Sequence, residues 1–157
     1  MVDTKNDTIT ITEPTGMAID TMYQDSVSCF GLNTGAAIVV ASGGTTPYTY
    51  LWNDGAAQTT DTAANLLAGM YTVLVTDSNG CTATDSITVL EPTPLEIVVD
   101  STVNVDCNGN AAGSIFTTTT GGTFGYTFAW DNTTATTADV NMLPANTYEV
   151  IVTDANA

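Results

Sequence analysis

The chain has 157 residues with 17 acidic side chains, a single lysine and neither arginine nor histidine, for a net charge of −16. That balance excludes a nucleic-acid surface, which must displace counterions with Lys or Arg, and argues against docking on an anionic membrane. With no histidine base, no arginine clamp and no nucleophile beside a base, catalysis is not expected. What remains is a surface that repels its own copies, stays soluble and attracts cations. Thr, Ser, Gly, Ala and Val dominate, which is β composition with turns. The longest apolar run, residues 36–41, is too short to span a membrane. The opening MVDTKND has neither the basic start nor the apolar core of an export signal, so such a signal is expected outside this segment.

In chain order, residues 1–14 end in the phrase TITITEPT from Thr8, which returns as SITVLEPT from Ser86. The offset is 78 positions, Ile9 to Ile87. It also carries Glu13-Pro14 to Glu91-Pro92, Cys29 to Cys107, Gly31 to Gly109 and Trp52 to Trp130. After Asp61 and Asp139 one residue drops out, and Tyr71, Val73, Val75 and Asp77 match Tyr148, Val150, Val152 and Asp154 at an offset of 77. The chain is therefore an array of repeats.

Within one repeat the strands read as Met17–Asp20, Ala36–Ser42, an aromatic strand over Tyr48–Trp52, a short polar piece around Thr59–Thr62, Met70–Thr76 and Thr82–Leu90. Their echoes are Leu95–Val99, Ser114–Thr120, Tyr126–Trp130 and Thr147–Thr153. Tyr48, Tyr50 and Trp52 alternate with Thr49 and Leu51 and so share a face, as do Tyr126, Phe128 and Trp130. Double glycines before these strands and Asn53-Asp54-Gly55 after the first supply turns. Short strands at regular spacing predict an all-β fold of tandem immunoglobulin-like β-sandwich domains. Residues 15–92 form one complete repeat and 93–157 a second that lacks its last strand in this frame, while 1–14 supply the last strand of a preceding one. Each Glu-Pro marks a joint, since proline cannot continue a central ladder.

A sandwich without its last strand has an open edge and an uncovered groove. Strand addition closes both. The expected partner is a second copy, whose Thr8, Ile9, Thr10, Ile11 and Thr12 act as a donor strand, giving a head-to-tail homopolymer. The competing reading is that the polypeptide itself simply continues.

Cys29 precedes the second strand and Cys81 opens the last, and a sandwich is expected to bring them together as a disulfide. The alternative is two buried thiols. Cys107 has no partner in this frame. No CxxC or Cys/His cluster suggests zinc. Asp77-Ser78-Asn79-Gly80 resembles the first half of a calcium loop, with Asp77 and Asn79 as weak ligand candidates, but it lacks the closing bidentate Glu and reads first as a turn. No other cofactor is expected. Trp52 and Trp130 read as core residues; exposed, they would instead be sugar platforms of a lectin-like module binding surface glycans.

The pattern CFGLNTGAAIVVASGGTTPYTYLWNDG from Cys29, followed by LLAGMYTVLVTDSNGCTATDSITVLEP, resembles the SprB repeat family. Gly125 stands where Pro47 does and Asn146 where Gly69 does, the departures of the second repeat. The resemblance implies tandem repeats of large secreted surface proteins of the Bacteroidota, hence an extracellular or cell-surface location and an adhesive or filament-forming role. A passive spacer repeat of a larger secreted protein is the plainer alternative. Asp-Thr/Ser steps at Thr8, Thr21, Ser26, Thr62, Ser86 and Ser101 are similar to the O-glycosylation motif of the same bacterial group and are candidate sites for covalent glycans; the plainer alternative is ordinary Thr-rich strands, which polarity and β propensity favour.

Overall fold

The fold is seen in a computed structural model that describes residues 5–13, 15–106 and 111–156. Every regular element among them is a strand. In the first repeat these are β1 (Ala18–Asp25), β2 (Gly35–Ser42), β3 (Thr49–Trp52), β4 (Thr62–Leu66), β5 (Gly69–Thr76) and β6 (Thr82–Val89). In the second they are β7 (Glu96–Val103), β8 (Gly113–Thr120), β9 (Thr127–Trp130), β10 (Val140–Leu143) and β11 (Val150–Thr153). Runs of Val, Ile and Thr favour this pleated backbone, where the branched side chain packs without losing further rotamers.

The first repeat forms two sheets, ordered β1-β2-β4 and β3-β5-β6. The second repeats this as β7-β8-β10 and β9-β11. The registers agree across the repeat. Trp52 faces Val73 and Tyr50 faces Val75; Trp130 faces Val150 and Phe128 faces Val152. The fold is thus all-β, with antiparallel sheets arranged as tandem β-sandwich repeats.

Contacts gather the described residues into two compact units. One holds 37–63 and 70–88 with those up to Gln24; the other holds 25–36, 64–69 and those from Val89 onward. In the second unit Trp130, Val140 and Leu143 are buried together, with Ile115, Phe128, Tyr148 and Val150 packed on them. In the first repeat the buried apolar residues include Ala37 and Val39 of β2, Trp52 of β3, Ala63 and Leu66 of β4, Val73 and Val75 of β5, and Val89 of β6.

Several strands differ from expectation; β7, for one, runs from Glu96 to Val103 where Leu95–Val99 was expected. β1 runs on to Asp25 instead of stopping at Asp20, because Thr21, Met22 and Tyr23 keep the extended pattern going. The fourth strand starts at Thr62, where the polar piece over Thr59–Thr62 was expected to hold it. Its buried residues are Ala63 and Leu66, three apart. Left-handed backbone at Asn65 (φ 55°) breaks the two-residue period between them. β10 does the same at Met142 (φ 58°), where its register against β8 shifts.

The double glycines earn their place by conformation. Gly43 and Gly44 both have positive φ, and a Cβ on Gly43 would run into the Gly16 carbonyl. Gly121 and Gly122 repeat this, with Gly121 against the Pro94 carbonyl.

Candidate functional site

The site begins at an edge. β5 has a neighbour on each side, β3 and β6. Its counterpart β11 pairs with β9, and among the described residues no strand lies on its other side. β5 is eight residues long and β11 four. The ladder of β11 extends only as far as four-residue β9 can bond it, which is why the expected strand over Thr147–Thr153 begins at Val150.

The same repeat has a cavity of about 370 Å³, lined by Val103, Val105, Gly113, Ile115, Leu143 and Tyr148 together with polar Thr102, Asn104, Ser114 and Asn146, and reaching to within two residues of the start of β11 in sequence. Tyr148 is held at its rim by its hydroxyl, which donates to the Pro144 carbonyl at 2.9 Å. The first repeat shows the same place filled. There Val89 at the end of β6 is 1% exposed. A Cβ on Gly35 would lie 2.5 Å from a Val89 methyl, 3.0 Å from the Leu66 carbonyl and 3.2 Å from a Val27 methyl. The N–H of Val27 donates to the Leu90 carbonyl at 2.9 Å, tying down the strand's exit. The repeat offsets carry Val27, Gly35 and Leu66 to Val105, Gly113 and Leu143. At Gly113 the nearest neighbours of a Cβ are the Leu143 carbonyl, the Val103 carbonyl and the Leu143 Cβ, with nothing in the place of Val89. The sequence pattern marks the open edge but not this cavity. Its lining is scattered over three strands and the segments beside them, and only the offsets from Val27, Gly35 and Leu66 could have revealed it.

Residues 8–12 lie outside any strand and are all exposed. Ile9 is 86% and Ile11 94% exposed. Two large aliphatic side chains in solvent on an otherwise polar segment are an unmet hydrophobic contact. Thr8 is oriented locally, its N–H donating to Asp7 Oδ1 at 3.0 Å.

The tryptophans are interior. Trp52 is 1% exposed and its Nε1–H donates to the Thr60 carbonyl at 2.9 Å; Trp130 is 8% exposed and donates to the Thr137 carbonyl at 2.9 Å. With faces packed and the indole donor satisfied, neither offers a sugar platform.

Asp77 is buried, and its oxygens accept from the N–H groups of Thr45 (2.8 Å), Asn79 (2.9 Å) and Cys81 (2.8 Å). The Thr45 hydrogen bond is the main reason its carboxyl sits below the ordinary range; burial opposes this, and the Cys81 and Asn79 N–H groups reinforce it. Asp154 repeats the arrangement with Thr123 and Asn156. Ringed by donors, Asp77 works as the lock of a turn, and Asn79 lends that turn its side chain through a bond to the Thr45 hydroxyl. Among the described residues no group of three or more His, Cys, Asp or Glu side chains is placed to hold a metal ion.

Cys29 and Cys81, expected to pair, are both free thiols in this structure. Cys81 immediately precedes β6, whereas the exit of β6 at Leu90 is bonded to Val27, two residues before Cys29. The eight-residue strand between these points spans about 26 Å at about 3.3 Å per residue. A disulfide needs Cα atoms within about 7 Å. Cys107 lies outside the described residues. Of the candidate glycosylation sites, Thr8, Ser26, Ser86 and Ser101 are exposed, and Thr21 and Thr62 are half-buried. The Thr62 hydroxyl donates to Asp61 Oδ1.

No curated protein matches the chain. The SprB repeat profile matches twice, over residues 23–57 and 99–135, in both cases from within the repeat's first strand through its tryptophan strand and the turn beyond. The chain is thus similar to the SprB repeat family at two corresponding places, one in each of its own repeats.

Proposed function

We propose that this chain is a structural, non-catalytic segment of an extracellular fibre or surface adhesin whose copies join head to tail by β-strand complementation. SprB repeats suggest a repeat region of a Bacteroidota surface protein, which supports an extracellular location and an immunoglobulin-like reading of the sandwiches. The observation that carries the assembly is the pairing of a deficit with a surplus. Among the described residues β11 has an open edge, and the same repeat has a partly apolar cavity, while residues 8–12 expose Ile9 and Ile11 in the phrase that ends β6 in the first repeat. Joining them completes a three-stranded sheet like β3-β5-β6. Such a contact uses different surfaces on its two partners and does not close on itself, so it propagates. The acidic surface, with glycans at exposed Asp-Thr and Asp-Ser steps, keeps finished fibres apart.

The test is electron microscopy and sedimentation of the purified chain beside the double variant Ile9→Asp/Ile11→Asp. Both side chains are solvent-exposed in the chain itself, so the variant keeps its fold, checked by tryptophan emission. The unmodified chain should form filaments and the variant should stay monomeric. Filaments of equal length from the variant, or a persistent monomer from the unmodified chain, contradict the proposal.

A further inference from the structure

We propose that Ile11 of a second copy seats in the cavity under Gly113, and that this one side chain sets the register of the joint. The inference rests on the strand-complementation reading above and adds to it a residue, a socket and a register.

The template is internal to the molecule. By the 78-position offset Ile11 corresponds to Val89, and Ile9 to Ile87. Val89 is 1% exposed and Ile87 only half-buried, so of the two positions it is the later one that fills the core. A Val89 methyl, a Val27 methyl and the Leu66 carbonyl all converge on the face of Gly35. The corresponding residues Val105, Gly113 and Leu143 line the cavity of about 370 Å³. A glycine is needed at the floor: at Gly35 a Cβ would already collide with the Val89 methyl. Gly113 does not have positive φ; a Cβ there would lie 2.9 Å from the Leu143 carbonyl, and it would also take space from an incoming side chain. The Val27–Leu90 hydrogen bond carries over as the Val105 N–H donating to the Thr12 carbonyl of the incoming strand. Sliding that strand by one residue would turn Ile9 and Ile11 to solvent and present threonine to an apolar socket.

The occupant is a second copy because the matching strand is present in this chain and exposed. Residues 8–12 reproduce the alternation of β6, and Ile11 is 94% exposed.

The experiment uses a fluorescent synthetic peptide of residues 5–13 and, as acceptor, the full chain carrying Ile11→Asp, whose own strand cannot compete. Fluorescence polarisation should show saturable binding. Ile11→Gly in the peptide should weaken it at least tenfold, and Ile9→Gly should weaken it less. Gly113→Val in the acceptor should weaken the unmodified peptide at least tenfold, with tryptophan emission confirming that the acceptor is folded. The peptide series needs no refolding, so it stands if that acceptor fails. Binding that is indifferent to Ile11 while Ile9→Gly abolishes it overturns the socket and leaves strand complementation intact. No binding by any peptide overturns both.

Discussion

Asp77 shows how a single carboxylate organises a turn. Its three backbone donors come from Thr45, Asn79 and Cys81, so it joins the loop before β3 to the turn between β5 and β6. The folded carboxyl is held below its ordinary value of 3.8, chiefly by the Thr45 N–H. A depressed carboxylate contributes stability that is full above the unfolded value and is lost as pH falls through the folded one. The melting temperature of the Asp77→Asn variant should therefore be lower than that of the unmodified chain at neutral pH, and the gap should narrow below pH 3.8. Thermal melts of both proteins from neutral pH to strongly acidic pH check this; a gap that stays constant across that range would show that the charge of Asp77 is not what holds the turn.

At the scale of elements, the left-handed residue in the fourth strand of each repeat spaces two core side chains three apart. Asn65 tolerates that conformation, but Met142 at φ 58° does not, because the left-handed region crowds an ordinary Cβ. Met142 is 81% exposed, so its side chain gives no packing in return. Met142→Asn should stabilise the protein by about 1 kcal/mol in urea denaturation; an unchanged or lower midpoint would mean that β10 is not strained there. These strands also show what sequence reasoning could and could not reach. The aromatic strands and β5 were legible because their Tyr, Phe, Trp and Val recur at every second position, and β2 because it is a short apolar run between turn residues. β4 was misplaced because its bulge destroys the period on which such reading depends. The open edge of β11 followed from comparing repeats. The cavity did not, since a void is the absence of a side chain and leaves no residue pattern of its own.

At the scale of the whole molecule, the account joins an exposed aliphatic strand to an unfinished sandwich. Burying an isoleucine contributes about 1.5–3 kcal/mol, and main-chain bonds along the edge of β11 add to it. A net charge of −16 opposes association through any surface that is not specifically complementary, which favours one defined joint over general aggregation. The most direct test of the central claim is hydrogen exchange on assembled material and on the monomeric Ile9→Asp/Ile11→Asp variant. The account predicts that assembly slows exchange at residues 8–12 and across Val150–Thr153 together. Polymeric material in which residues 8–12 exchange as fast as a free peptide would contradict it.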